Sequence, residues 1–203
     1  MSDNGGLADK PEEYEVNLPL KYGKFTVWEG GIRVPFFIKG PGITPNSLCD
    51  VPISGCDILP TVLELAGGNH KIQGIDGGSL TSVMKNPKKG KVNRNHKGLY
   101  FQCTRGYEWS AVRRQEAVIY GDYKLIKNYF NKEALLFNVV NDPGETTNLS
   151  KKEPEKFSEL SQMLSNYLLD VKAHSAKLSH EELEQLKKFC EERSQKNDAR
   201  SIR

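Results

Sequence analysis

The chain has 203 residues, 37% of them hydrophobic and 27% charged, with a formal net charge of +3 at pH 7. That length and balance suit a globular chain with its own core, the mild charge gives no ground for a nucleic-acid partner, and no apolar run approaches the roughly 18 residues a membrane span needs. Met1-Ser2-Asp3-Asn4 has neither the basic start nor the apolar run of a secretory signal, and the four cysteines match no zinc or thioredoxin spacing, so free thiols or a single disulfide both stay open.

In chain order, Ser2-Asp3-Asn4-Gly5-Gly6 comes first. It sets a carboxylate beside an amide carbonyl ahead of a glycine pair, which suits the presentation of two oxygens to a hard cation. The same residues alone are also ordinary turn chemistry. The polar stretch that follows as far as Tyr22, broken by Pro11 and Pro19, reads as a surface loop. Next, Lys24-Phe25-Thr26-Val27-Trp28-Glu29-Gly30-Gly31-Ile32-Arg33-Val34-Pro35 places a lysine a few residues before a Gly-Gly turn. The apolar run in Arg33 to Lys39 (Val34, Phe36, Phe37, Ile38) predicts a short strand buried on both faces of a mixed sheet, ending at Gly40-Pro41-Gly42.

Asp57 to Leu65 has helical spacing, Asp57 as its expected cap, Pro60 in the first turn and Gly67-Gly68 as its stop. Gly74 to Leu80 reads as a turn, and the basic run from Lys85 to Lys97 (Lys88, Lys89, Lys91, Arg94, Lys97) as a solvated loop or a patch facing an anionic substrate. The change of texture over 85–97 divides the chain into an expected 1–90, a small antiparallel-sheet subdomain over 91–178, and a terminal helix and tail over 179–203. Strands are predicted at Leu99 to Cys103, Glu116 to Tyr120, Tyr123 to Lys127 and Leu135 to Val140, with a tight hairpin at Gly121-Asp122. Pro154 to Val171 carries Phe157, Leu160, Leu164, Tyr167, Leu168 and Val171 on one helical stripe, expected to cover that sheet. Ser179 with Glu182 forms a capping-box pattern that opens a last helix bearing Leu183, Leu186 and Phe189, ahead of a frayed end from Ser194 to Arg203. His70, His96, His174 and His180 show no ligand spacing.

At the strings Ser2 to Gly6 and Lys24 to Pro35, and again at Leu136-Phe137-Asn138-Val139-Val140-Asn141-Asp142-Pro143-Gly144-Glu145-Thr146-Thr147-Asn148-Leu149, the chain resembles the sulfatases of the alkaline-phosphatase superfamily. The likeness is arylsulfatase-like and covers the family's segment from the second metal-ligand pair to the C-terminus. It implies an α/β fold: part of an alkaline-phosphatase-like mixed sheet with helices, then a small α+β subdomain of about four antiparallel strands and a C-terminal helix. It also implies hydrolysis of a sulfate ester, aryl or carbohydrate.

The resemblance makes Asp3 and Asn4 ligands of calcium or magnesium, and Lys24 a catalytic and substrate-binding residue that touches the sulfate group. Gly5, Gly6, Glu29, Gly30, Gly31 and Arg33 become the structural surround, with Glu29 and Arg33 read as an internal ion pair or turn brace. The turn Gly74 to Leu80 resembles the family's Asp-Gly-x-Ser-Leu element, in which Asp76 would be structural, and His96 is the one histidine near enough to the expected substrate mouth to watch. Asn148-Leu149-Ser150 is a formal glycosylation sequon, read as incidental to the closing string.

Sulfatases draw their nucleophile from Cys/Ser-x-Pro/Ala-x-Arg, matured to formylglycine. Cys49, Cys56, Cys103 and Cys190 all stand in other contexts, and no serine fits. The expectation is therefore a C-terminal part of a sulfatase, inactive alone, with an incomplete cation site and with the formylglycine in an N-terminal half that would be its partner. The alternative is a non-catalytic, sulfatase-derived binding or interaction module, or a truncated gene product. Family members are usually secreted, periplasmic or lysosomal, and with no signal peptide in this chain no compartment is assigned.

Overall fold

The computed structural model describes residues 1–7, 16–69, 73–103, 114–173, 179–181, 184, 185 and 188. They fall into two compact units, one formed by Met1–Phe36 with Tyr100–Arg203 and the other by Phe37–Leu99. These packing units cut the chain differently from the expected division at 90 and 178, because residues 1–36 group with the later part of the chain. His70, His174 and Cys190 lie outside the described residues, as does most of the terminal helix and tail expected over 179–203.

The first unit is built on a four-stranded sheet in the order β1-β2-β3-β4: β1 (Leu99–Cys103), β2 (Gln115–Tyr120), β3 (Tyr123–Asn128) and β4 (Glu133–Asn138). β2 and β3 pair antiparallel from Tyr120↔Tyr123 to Gln115↔Asn128, and β3 and β4 from Tyr123↔Asn138 to Asn128↔Glu133. The expected two-residue connection closes the β2–β3 hairpin, with Gly121 in the left-handed region at φ 60°. This is the mixed α/β architecture expected from the sequence, with its small antiparallel sheet.

Alternation along the strands sends apolar residues to both faces of this sheet. Val118, Leu125 and Leu136 pack against Leu160 and Leu164 of α4 (Pro154–Asp170), with Phe157 and Leu168 at the margin. The predicted stripe is therefore the buried one, although Val171 falls at the helix end and is 42% exposed. Ala117, Ile126 and Phe137, with Val139, pack on the other face against Val27 and Trp28. Coverage on both sides explains why Ala117-Val118-Ile119 in β2 and Leu125-Ile126 in β3 are apolar at consecutive positions. The second layer carries the segment that the sequence singles out around Lys24.

In the second unit a 3-10 turn, Gly55–Asp57, leads into α2 (Ile58–Leu65), and α3 (Thr81–Lys85) follows; α1 is a single turn, Glu29–Ile32, in the first unit. Three expectations need correcting. The strand predicted over Arg33 to Lys39 does not form: no ladder is assigned there and Phe37 is 85% exposed. Among the described residues no strand lies alongside to form a ladder with it, and Pro35 O accepts the Ser2 N–H at 3.2 Å.

Second, Asp57 makes no side-chain cap to α2. It is a fully buried hub whose Oδ1 accepts the Gly78 N–H at 2.8 Å and Arg94 Nε–H at 2.8 Å, while Oδ2 accepts the Ser54 N–H at 2.7 Å and Arg94 Nη2–H at 2.6 Å. Third, Arg94 is therefore not part of a solvated basic loop; its fork-on-fork pairing with the carboxylate is a structural tie.

Candidate functional site

The backbone joins the two N-terminal strings into one frame. The Gly5 N–H donates to Gly31 O at 3.0 Å, the Lys24 N–H to Gly6 O at 3.0 Å, and the Ser2 N–H to Pro35 O at 3.2 Å. Asn17 ties the same place: its Oδ1 accepts the Gly6 N–H at 3.0 Å, while its Nδ2 donates to Gly6 O at 3.0 Å and to Tyr22 O at 2.8 Å. Two of the glycines are required by distance of approach. A Cβ on Gly5 would stand 1.7 Å from Gly30 O, and one on Gly30 would stand 2.2 Å from Tyr22 O.

This frame places Asp3, Asn4 and Lys24 on adjoining backbone. Asp3 is exposed, and its Oδ1 accepts the Asn4 N–H at 3.0 Å. Asn4 is half-buried and commits its Nδ2 to Gly5 O at 2.9 Å, so its amide oxygen is the end open to ligation. Lys24 is half-buried, with Nζ 5.2 Å from the centre of the Phe25 ring. The residues around it are strained: Tyr22 has φ 57° and Phe25 φ 68°. For side chains of that size the left-handed region costs about 1–2 kcal/mol each, a strain that persists where surroundings over-determine the backbone and that clusters at functional sites. Lys21 is turned elsewhere, with Nζ 4.5 Å over the Trp28 ring.

Below the turn lies an ionic cluster that the sequence reading did not assemble. Glu29 has its Oε2 3.6 Å from Arg33 Nη1, the pairing expected, but its closer partner is Lys124 of β3, with Nζ to Oε1 at 2.9 Å. Lys124 Nζ is also 2.9 Å from Glu145 Oε1, and Glu145 Oε2 accepts the Glu29 N–H at 2.8 Å. Lys124 and Glu145 are fully buried and Glu29 nearly so. Burial pushes the Glu145 carboxyl above its ordinary range, against the pull of Lys124 and the Glu29 N–H. A signal for this cluster was present in the sequence. Lys124 alternates with Ile126 on the face that buries Trp28, and a lysine on a buried face calls for a counter-charge.

As a cation site, the donors are right in kind and short in number. Asp3 and Asn4 offer two side-chain oxygens to a hard ion that takes about six to eight for calcium. Among the described residues no group of three or more His, Cys, Asp or Glu could hold a metal. In the other unit His96 Nε2 lies 3.6 Å from Asp76 Oδ1, an ion pair when the ring is protonated, and both side chains are partly exposed.

The family model described as "N-sulphoglucosamine sulphohydrolase, C-terminal" matches residues 21–174. The chain belongs to this family, the C-terminal region of the sulfatases. A "Sulfatase" of Formosa agariphila is 35% identical over 165 residues, which are 76% of this chain and 29% of that protein. "Arylsulfatase K" of Xenopus laevis is 26% identical over 166 residues, 80% of this chain and 29% of that protein. Among solved structures, Ps i-CgsB in complex with k-i-k-neocarrahexaose superimposes with a TM-score of 0.64 at 26% identity, over 82% of this chain and 35% of that one. The chain thus spans less than a third of the length of these two sulfatases. No described helix is long and apolar enough to cross a membrane.

Proposed function

We propose that this sulfatase region supplies one side of a sulfate-ester-hydrolysing site, in which Lys24 holds the sulfate group and Asp3 and Asn4 give two oxygens to a divalent cation, calcium or magnesium. The observation that carries this reading is the frame in which the Gly5 N–H meets Gly31 O and the Lys24 N–H meets Gly6 O, so that two of the three strings of the family resemblance meet at one place. When bound, such a cation would hold sulfate oxygens and stabilise charge on them. Lys24 contributes a compact positive charge fixed beside the ester, suited to the negative charge that develops as the alcohol leaves. Strain at Tyr22 and Phe25 on either side of it is consistent with a lysine whose direction matters.

The nucleophile would come from sulfatase sequence outside these residues, and the chain alone would be inactive. A partner surface supports this. α2 is packed with its polar side inward: Thr61 is buried, donating to Asp57 O and accepting the Leu80 N–H, while Ile58, Leu59, Val62 and Leu65 are 37–62% exposed along one helical stripe. An apolar stripe of this kind suits burial against a further layer of sulfatase structure. The oligosaccharide bound to Ps i-CgsB favours a sulfated carbohydrate as the substrate class over a simple aryl ester.

The test is a chimera in which this chain replaces the matched region of the Formosa agariphila sulfatase, assayed on that enzyme's own sulfate ester. The chimera should be active, and Lys24→Ala in it should lower kcat/KM about 100-fold or more. A folded, active chimera indifferent to Lys24→Ala would refute the assignment. Turnover by the 203-residue chain alone would refute the two-part reading.

A further inference from the structure

Beneath the turn the buried carboxylates of Glu29 and Glu145 share the buried ammonium of Lys124, and Arg33, 57% exposed, reaches Glu29 from the surface at 3.6 Å. A buried cluster of this type has little advantage in stability over apolar side chains of the same volume. What it does impose is direction. Glu145 must keep Oε2 on the Glu29 N–H while Oε1 meets Lys124, and it is held for that task by its own turn. There the Glu145 N–H donates to Asp142 O at 3.0 Å, and Asp142 Oδ2 accepts the N–H groups of Thr146 and Thr147, each at 2.8 Å.

From Glu29 the contacts run directly into the frame. The Gly30 N–H donates to Lys21 O at 3.0 Å, Gly31 O receives Gly5, and Gly6 O receives Lys24. Lys21 closes the circle, its Nζ 3.5 Å from Glu145 O. We infer that Lys124 and Glu145 are positioning residues: acting through Glu29, they set the spacing between Asn4 and Lys24. The inference rests on the reading of Asp3, Asn4 and Lys24 as a cation and sulfate clamp.

The test uses the full 203-residue chain and amide hydrogen exchange resolved by NMR, with inorganic sulfate as the probe. In Lys124→Met, which removes the ammonium but keeps an unbranched stem, the Gly5, Lys24 and Gly30 amides should exchange about ten-fold faster or more. Amides of the β2–β3 ladder should stay within about two-fold. Glu145→Gln keeps an oxygen for the Glu29 N–H and should lose less protection than Glu145→Leu, a graded rescue that loss of packing alone would not give. Lys24→Ala should leave the Gly5 and Gly30 amides as in the parent.

Sulfate should shift the Lys24 amide in the parent chain and do so more weakly in Lys124→Met. Absence of that shift in the parent, with the exchange pattern intact, would sink the sulfate reading and leave the positioning role standing. Equal loss of protection in ladder and frame, or none in the frame, would overturn the positioning role. So would failure of both Lys124→Met and Glu145→Gln to fold, since the cluster would then serve the whole fold.

Discussion

Gly5→Ala tests the frame at its tightest point. The added Cβ would lie 1.7 Å from Gly30 O, against roughly 3.5 Å for a relaxed contact. One of the two backbones has to retreat by about 1.5–2 Å. The retreat breaks the Gly5 N–H···O Gly31 bond and pulls on the Lys24 N–H···O Gly6 bond next to it, both 3.0 Å long in the parent. Each such bond is worth about 1 kcal/mol net and overpacking adds about 1–3 kcal/mol, so the frame should lose about 2–4 kcal/mol. Segment 2–6 could relieve the clash by peeling off the turn, so two measurements are needed: urea unfolding for the whole chain, and amide exchange at Lys24 and Gly30. Either unfolding shifts by that amount, or those amides lose protection while the sheet keeps its own. A variant within about 0.5 kcal/mol of the parent, with parent-like exchange at both amides, would refute the close approach of residues 5 and 30.

The remaining predictions concern charge, the reversed helix and the cation. Burial raises the Glu145 carboxyl, so the folded chain holds that proton to higher pH than the unfolded chain does. Its contribution to stability is full below the ordinary carboxyl range and falls as pH rises through the raised value, and because Gln does not titrate, the stability difference between parent and Glu145→Gln should show that fall. In α2 the usual sensitivities should be exchanged. Leu59→Lys, at a residue 54% exposed, should change urea stability by under about 0.5 kcal/mol, while Thr61→Val strands the Leu80 N–H and should cost about 1–3 kcal/mol. Calorimetry with calcium should find no stoichiometric micromolar site in the isolated chain, because two side-chain oxygens fall short of the shell calcium needs.

Local signals were legible where the partner lay close in sequence. The β2–β3 hairpin announced itself through two short β-rich segments joined by Gly121-Asp122, and its observed register runs through Tyr120↔Tyr123. The stripe on α4 was legible because Leu160 and Leu164 recur at helical spacing and are the residues fully buried. Long-range partners left no such trace. Asp57 sits where a cap belongs, yet its carboxylate is claimed by Arg94, 37 residues on. Arg33 to Lys39 has the composition of a buried strand, but composition cannot supply the neighbouring strand that a ladder needs. In α2 periodicity correctly gave a helix, but its apolar stripe stays exposed, because Thr61 and Asp57 are the residues that find hydrogen-bonding partners inward.

The site shows why two of the family-like strings of the sequence occur together. Lys24 to Pro35 and Leu136 to Leu149 stand far apart in the chain, and each reads as a self-contained turn motif. They meet where Phe137 and Val139 pack against Val27 and Trp28, and at a hydrogen bond from the Glu29 N–H to Glu145 Oε2 across 116 positions, and they share one ammonium, Lys124. The closing string thus acts as the floor on which the Gly30-Gly31 turn rests. Consequently a change at Glu145 should disturb the surroundings of Lys24 more than it disturbs the β2–β3 ladder. A double-mutant cycle between Glu145→Gln and Glu29→Gln should give a coupling of about 0.5–3 kcal/mol, as for residues in one network. Additivity within about 0.3 kcal/mol would mean that the two strings are merely adjacent.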